Sequence, residues 1–157
     1  MRLAGRAIRL PPDIDTDMII AGRYLRTKDR SVWAARAFED LDPTLAGRLR
    51  GAVIAAGPNF GCGSSREQAA VALREAGVVA VVAPSFARIF YRNAINLGLP
   101  IAEAELDCED GDPVEVDLEA GLVRAGDRPP VPIAPLSPRM RAILGAGGLV
   151  ELLKGTA

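Results

Sequence analysis

The stretch Gly51–Ala83, GAVIAAGPNFGCGSSREQAAVALREAGVVAVVA, decides the fold. Gly51 to Gly57 is a continuous run of small apolar residues, the texture of a strand buried on both faces. It runs into a glycine-broken loop, PNFGCGSS, and then into an alanine-rich helix predicted over 66–76 and closed by Gly77. Val78 to Ala83 is apolar and rich in β-branched valine, so it reads as a second strand. Ser85 then opens a second helix through Asn96, which Gly98 terminates. Strand, helix, strand, helix argues for an α/β core with parallel pairing.

Upstream, Leu3 to Leu10 carries apolar residues with intervening arginines and stops at Pro11-Pro12, the pattern of a short strand followed by the loop Asp13–Asp17, DIDTD. Ser31 to Phe38 has apolar positions at helical spacing, with Ser31 placed as N-cap. Downstream of Pro113 the texture changes to short alternating segments, Val114–Leu118 and Leu122–Arg124, which predict a β-hairpin region near 113–134. A last helix is expected over 137–144, followed by Gly145, Gly147, Gly148 and a short amphipathic tail. The chain contains no internal repeat or low-complexity linker, so residues 1–157 are expected to form one domain.

Composition narrows the chemistry. With 157 residues, a net charge of -1, 25% charged and 49% hydrophobic residues, the chain has the makeup of one soluble globular domain. Near-neutral charge with dispersed arginines gives no footprint for nucleic acid and no polybasic patch for a membrane. The longest apolar run, Ala76 to Ala83, is far short of the roughly 20 residues a bilayer requires. Arginines at 2, 6 and 9 break any signal-peptide core, and two distant cysteines make no disulfide framework, so a cytoplasmic protein is expected. The chain has no histidine, which excludes Ser-His-Asp and Cys-His nucleophiles and any histidine-ligated metal.

The segment Asn59–Glu67, NFGCGSSRE, is the strongest local signal. Glycines let backbone approach a ligand closely, and a helix start favours an anion. Arg66 in the first turn is unfavourable there unless an anion meets it. A carboxylate substrate would do so. The purely structural alternative is a capping box, Ser64 with Glu67 three residues later. The segment is neither a nucleophile elbow, nor a Walker A loop, nor a dinucleotide fingerprint, because the residues each motif requires are missing. Asp13, Asp15 and Asp17 open like a calcium loop, but Met18 stands where glycine is needed and Tyr24 where the bidentate glutamate belongs. A turn whose aspartates bond local backbone N–H groups is the better reading. No metal site is expected.

Three segments, DIDTDMIIAGRYLRT (13–27), NFGCGSSREQA (59–69) and SFARIFYRNAINLGLPI (85–101), together resemble the small subunit of the two-subunit aconitase-like hydro-lyases, 3-isopropylmalate dehydratase and homoaconitase. Gln68 departs from the histidine often found there in the family. The resemblance implies a swivelling β/β/α domain that docks over a large subunit carrying a [4Fe-4S] cluster. Two distant cysteines agree with a partner-borne cluster, which needs several thiolates. The implied reaction isomerises a small di- or tricarboxylate, a 2-hydroxy acid, by dehydration and rehydration, in leucine or lysine-type biosynthesis.

By the same resemblance Ser64 is the general base, Ser65 and Arg66 orient substrate, and Thr16, Asp17, Gly61 and Gly63 support the site. Cys62 is a small loop residue there. Arg26, in Tyr24-Leu25-Arg26-Thr27, lies in the loop that distinguishes substrates: an apolar residue suits an isopropyl group, and arginine suits a further carboxylate, as in homoaconitase. A non-catalytic module that captures carboxylates at the same loop is the alternative function.

Overall fold

A computed structural model describes residues 1–155 of the chain; residues 156–157, within the predicted single domain, lie outside the described ones. Seven strands form one sheet: β1 (Arg2–Leu10), β2 (Ala52–Ala56), β3 (Ala80–Ala83), β4 (Ile101–Glu103), β5 (Pro113–Asp117), β6 (Leu122–Ala125) and β7 (Val131–Pro132), in the order β4-β3-β2-β1-β5-β6-β7. β1 to β4 pair in parallel, and β1, β5, β6 and β7 pair antiparallel. The helices are α1 (Thr16–Ile19), α2 (Arg30–Ala35), α3 (Glu67–Glu75), α4 (Arg88–Asn96), α5 (Pro138–Ala146) and α6 (Leu149–Gly155).

The sequence texture explains this division. β3 is buried along its whole length, and β2 is buried over its first four residues. Parallel strands covered on both faces carry such unbroken apolar runs. β5 and β6 alternate exposed and buried residues, as a hairpin with one wet face should. The three parallel connections all step the same way across the sheet, so right-handed crossovers put their helices on one side. There α2 packs on α3 and α3 on α4. The other side is covered by the sheet itself. The Ala134 N–H, just past β7, donates to the Glu103 carbonyl of β4 at 2.9 Å, bringing the two ends of the sheet together. Curling encloses Val114, Val116, Val123 and Ile133, and gives the expected β/β/α arrangement.

Several element boundaries differ from expectation. α2 starts at Arg30, because Asp29 rather than Ser31 is the cap and accepts from the Ser31 N–H. That helix ends at Ala35, and Phe38, fully buried, turns back with φ 60° to donate its N–H to the Ile19 carbonyl. α4 begins at Arg88 and not Ser85, whose hydroxyl is engaged elsewhere. The DIDTD loop contains the single turn α1, capped by Asp15, which accepts from the Met18 N–H. The amphipathic tail is a helix, α6.

Candidate active site

The loops that follow β1, β2 and β3 are zipped together at the carboxyl ends of the parallel strands, the usual place for a ligand in an α/β sheet. The Asp13 N–H donates to the Pro58 carbonyl at 2.9 Å, and the Asn59 side-chain amide donates back to the Asp13 carboxylate at 3.0 Å. The Asn59 N–H donates to the Ser85 hydroxyl at 2.8 Å. Phe60 then exchanges backbone bonds with Ser85 and Ala87, while the Gly61 N–H reaches the Ile14 carbonyl and the Thr16 N–H reaches the Cys62 carbonyl. The three segments singled out in the sequence are therefore one continuous loop surface.

Two glycines shape the bend that carries Ser64. Gly61 has φ 83°, and a Cβ there would stand 2.3 Å from the Phe90 ring, so only glycine lets the loop lie on α4. Phe90 in turn packs edge-on against the fully buried Phe60, ring centroids 5.3 Å apart. Gly63, at φ 91°, passes over Asp15 and Thr16. Thr16 is only 2% exposed, and its hydroxyl donates to the Ser64 carbonyl at 2.9 Å. That bond fixes the backbone of Ser64 while leaving its side chain facing out. No side-chain hydrogen bond engages the Ser64 or Ser65 hydroxyl among the described residues.

The capping-box alternative is not what forms. The residue at the α3 cap position is Arg66, in extended backbone, and no side chain caps that helix. Ser64 lies two residues too early to reach the first free amides, because the glycine bend holds it over Thr16. Arg66 sends its guanidinium back across the loop to Asp17, with a weaker reach to the Ile20 carbonyl at 3.4 Å and with Gly22 beneath it. Burial, with Asp15 and Asp13 nearby, holds the Cys62 thiol above its ordinary pKa. The aspartates bond backbone or pair with Arg66 and Asn59, and no group of three metal-binding side chains exists among the described residues.

Thr16, Gly61, Gly63, Ser64, Ser65 and Arg66 line a single cleft of about 260 Å³. Asp17 joins it through Arg66. Arg26 does not line it. Its loop is held by the Trp33 indole, which donates to the Tyr24 carbonyl at 3.0 Å, and by the Tyr24 hydroxyl, which donates to Glu39 at 2.6 Å. The Arg26 guanidinium is exposed and engages no partner among the described residues. The remaining wall comes from the start of α4 and was not anticipated: Arg88, Ile89 and Asn93, beside Ala87 and Phe90. A cation in the first turn of a helix, the same signal that marked Arg66, marks Arg88 too.

Residues 13–105 match the family described as the aconitase C-terminal domain. The chain is 52% identical over 153 residues to the methanogen homoaconitase small subunit of Methanothermobacter thermautotrophicus, covering 95% of this chain and 89% of that one. It is 51% identical over 155 residues to the 3-isopropylmalate dehydratase small subunit of Moorella thermoacetica, covering 96% and 93%. A crystal structure of 3-isopropylmalate dehydratase from Methanocaldococcus jannaschii superposes with a TM-score of 0.93 at 45% identity, covering 99% of this chain and 95% of that one.

Proposed function

The chain belongs to the aconitase C-terminal domain family, and on that premise we propose that it is the small subunit of an aconitase-family hydro-lyase of the 3-isopropylmalate dehydratase or homoaconitase type. In this reading it is one swivelling unit, cytoplasmic, inactive alone, that closes over a large subunit. The composition of the cleft carries the reading. Hydroxyl residues, two arginines and an asparagine line it, and no carboxylate does among the described residues. Such a lining receives a small anionic substrate and repels none of its carboxylates.

The reaction removes water across two adjacent carbons of a 2-hydroxy acid and returns it with the hydroxyl on the neighbouring carbon. One of those carbons must give its proton to a base, and Ser64 is that base here. A serine alkoxide is unfavourable in water, so it needs the positive potential of the cleft and the uncapped start of α3 to be usable. Arg66 grips a substrate carboxylate through a bidentate pair, with Asp17 positioning its guanidinium, and Ser65 orients the substrate beside it. Thr16 holds Ser64 in place. Arg26 contacts the substituent that distinguishes substrates once its loop meets the closed complex.

The chain's two cysteines do not fit a [4Fe-4S] cluster, which needs several thiolates. Cys62 and Cys108 are the chain's only thiols, so we assign the cluster, and the Lewis acidity it brings, to the large subunit. The reading calls for no nucleic-acid or membrane partner, and no helix among the described residues is long and apolar enough to cross a membrane.

Anaerobic reconstitution with the large subunit tests the proposal, following the alkene absorbance of 2-isopropylmaleate and cis-homoaconitate. Turnover that requires both chains is expected. If this chain binds small carboxylates and the large subunit adds no turnover, it is a carboxylate-binding module and the enzyme reading fails.

A further inference from the structure

Arg88 stands in the same cleft as Arg66, and none of the steps above employs it. Its mount is rigid. The preceding Ala87 N–H is bonded to the Phe60 carbonyl at 2.9 Å, and Phe90, two residues on, is 2% exposed between Phe60 and Gly61. The backbone of Arg88 is thereby fixed against the loop that carries Ser64. Its guanidinium is nevertheless exposed and engages no partner among the described residues, whereas Arg66 is paired with Asp17. Arg88 also opens the nine-residue helix α4, whose first turn holds no acidic residue, a position that disfavours a cation until an anion arrives. Beside it, Ile89 is 48% exposed, and Asn93, four residues on and so on the same helical face as Ile89, also lines the cleft. This wall therefore offers a cation, an apolar surface and an amide together. The cleft volume falls below the roughly 300–1,000 Å³ of drug-sized sites, which suits a small acid.

Resting on the hydro-lyase reading, we propose that Arg88 binds a second substrate carboxylate, remote from the one gripped by Arg66, while Ile89 supports the carbon skeleton between them. A substrate with two carboxylates would then be held at both ends across Ser64, which fixes the carbon presented to the base.

The test uses the reconstituted complex with Arg88→Gln and Arg88→Lys. Loss of a charge-assisted hydrogen bond is expected to raise KM about 10- to 100-fold in Arg88→Gln, with a smaller change in kcat and partial recovery in Arg88→Lys. Succinate, a non-reacting dicarboxylate, should weaken as a ligand of the complex by a similar factor when read by calorimetry. KM and succinate affinity within twofold of wild type in Arg88→Gln would overturn the proposal. So would an equal loss of complex formation in both variants on gel filtration, which would make Arg88 a docking contact for the large subunit. A wild-type complex without turnover whose succinate affinity still depends on Arg88 would refute the hydro-lyase reading and leave the second carboxylate site standing.

Discussion

Replacing Thr16 by valine removes one hydroxyl and keeps the shape of the side chain. The hydroxyl lost is the one that donates to the Ser64 carbonyl at 2.9 Å, from a residue only 2% exposed. A bond of this kind contributes about 1 kcal/mol net, and an acceptor left bare inside protein costs about 1–3 kcal/mol. Ser64 is exposed, so water can reach its carbonyl from the cleft and the cost should sit at the low end, about 1 kcal/mol. For a domain of this size that lowers Tm by about 2–4 °C. The larger effect should be on turnover. With its carbonyl released, the Gly63–Ser65 segment keeps only its glycine bend, and displacement of a catalytic group by about 1 Å can cost on the order of 100-fold. We expect kcat of the reconstituted complex to fall about 10-fold in Thr16→Val, while Thr16→Ser, which keeps the donor, stays within about threefold of wild type. Wild-type kcat in Thr16→Val with a lowered Tm would show that Thr16 is a strut and does not position Ser64. Equal losses in both variants would trace the effect to the methyl group and refute the hydrogen-bond argument.

Ser64→Ala is expected to abolish turnover in the reconstituted complex while leaving assembly intact on gel filtration; appreciable remaining activity would remove Ser64 from the role of base. Arg26→Val should shift the kcat/KM ratio toward the isopropyl substrate, and an unchanged ratio would exclude the loop from specificity. The Tyr24 hydroxyl, with Arg23 and Arg36 alongside, holds the Glu39 carboxyl below its ordinary range. A depressed carboxyl adds stability above its unfolded pKa of about 4.3 and loses it as pH falls through the folded value. Urea midpoints should therefore drop below about pH 4 more steeply in wild type than in Glu39→Gln, and parallel profiles would contradict the assignment.

The division into a parallel core and an antiparallel hairpin region was open to reading because burial on two faces and burial on one face leave different textures: AVIAA and AVVA against the alternation of β5 and β6. Three helix caps were not, although Ser137 was correctly placed at the start of α5. Ser31, Ser64 and Ser85 are all suitable cap residues by type, yet none caps its helix. Ser31 yields to Asp29 two residues earlier, while Ser64 and Ser85 are taken by partners 48 and 26 residues away. Such recruitment is tertiary, and local pattern carries no trace of it. Arg88 falls in the first turn whether the helix starts at Ser85 or at Arg88, and the true start puts it at the very end of the dipole. Arg26 illustrates the converse. Its residue type suggests a carboxylate contact, but the loop's position is set by Trp33 and Glu39, outside the segment that names it.

Two departures from helix-capping rules meet in one place. α1, α2 and α5 each have a side-chain cap, from Asp15, Asp29 and Ser137. α3 and α4 have none, and the arginines at their starts, Arg66 and Arg88, both line the cleft. A missing cap costs about 0.5–2 kcal/mol, and a cation at the same end adds a further fraction of a kilocalorie or more. Both helices accept both penalties, Arg66 at the cap position of one and Arg88 at the first residue of the other. Stability alone would have placed serine or aspartate at these positions. An anion in the cleft reverses each term at once: it meets the free amides, it meets the guanidiniums, and it does so where the Ser64 hydroxyl has no side-chain hydrogen bond among the described residues. Two such conflicts meeting at one cleft mark residues placed for binding. Asp17 shows how the free protein tolerates the arrangement, because its carboxylate pairs with Arg66 without itself lining the cleft.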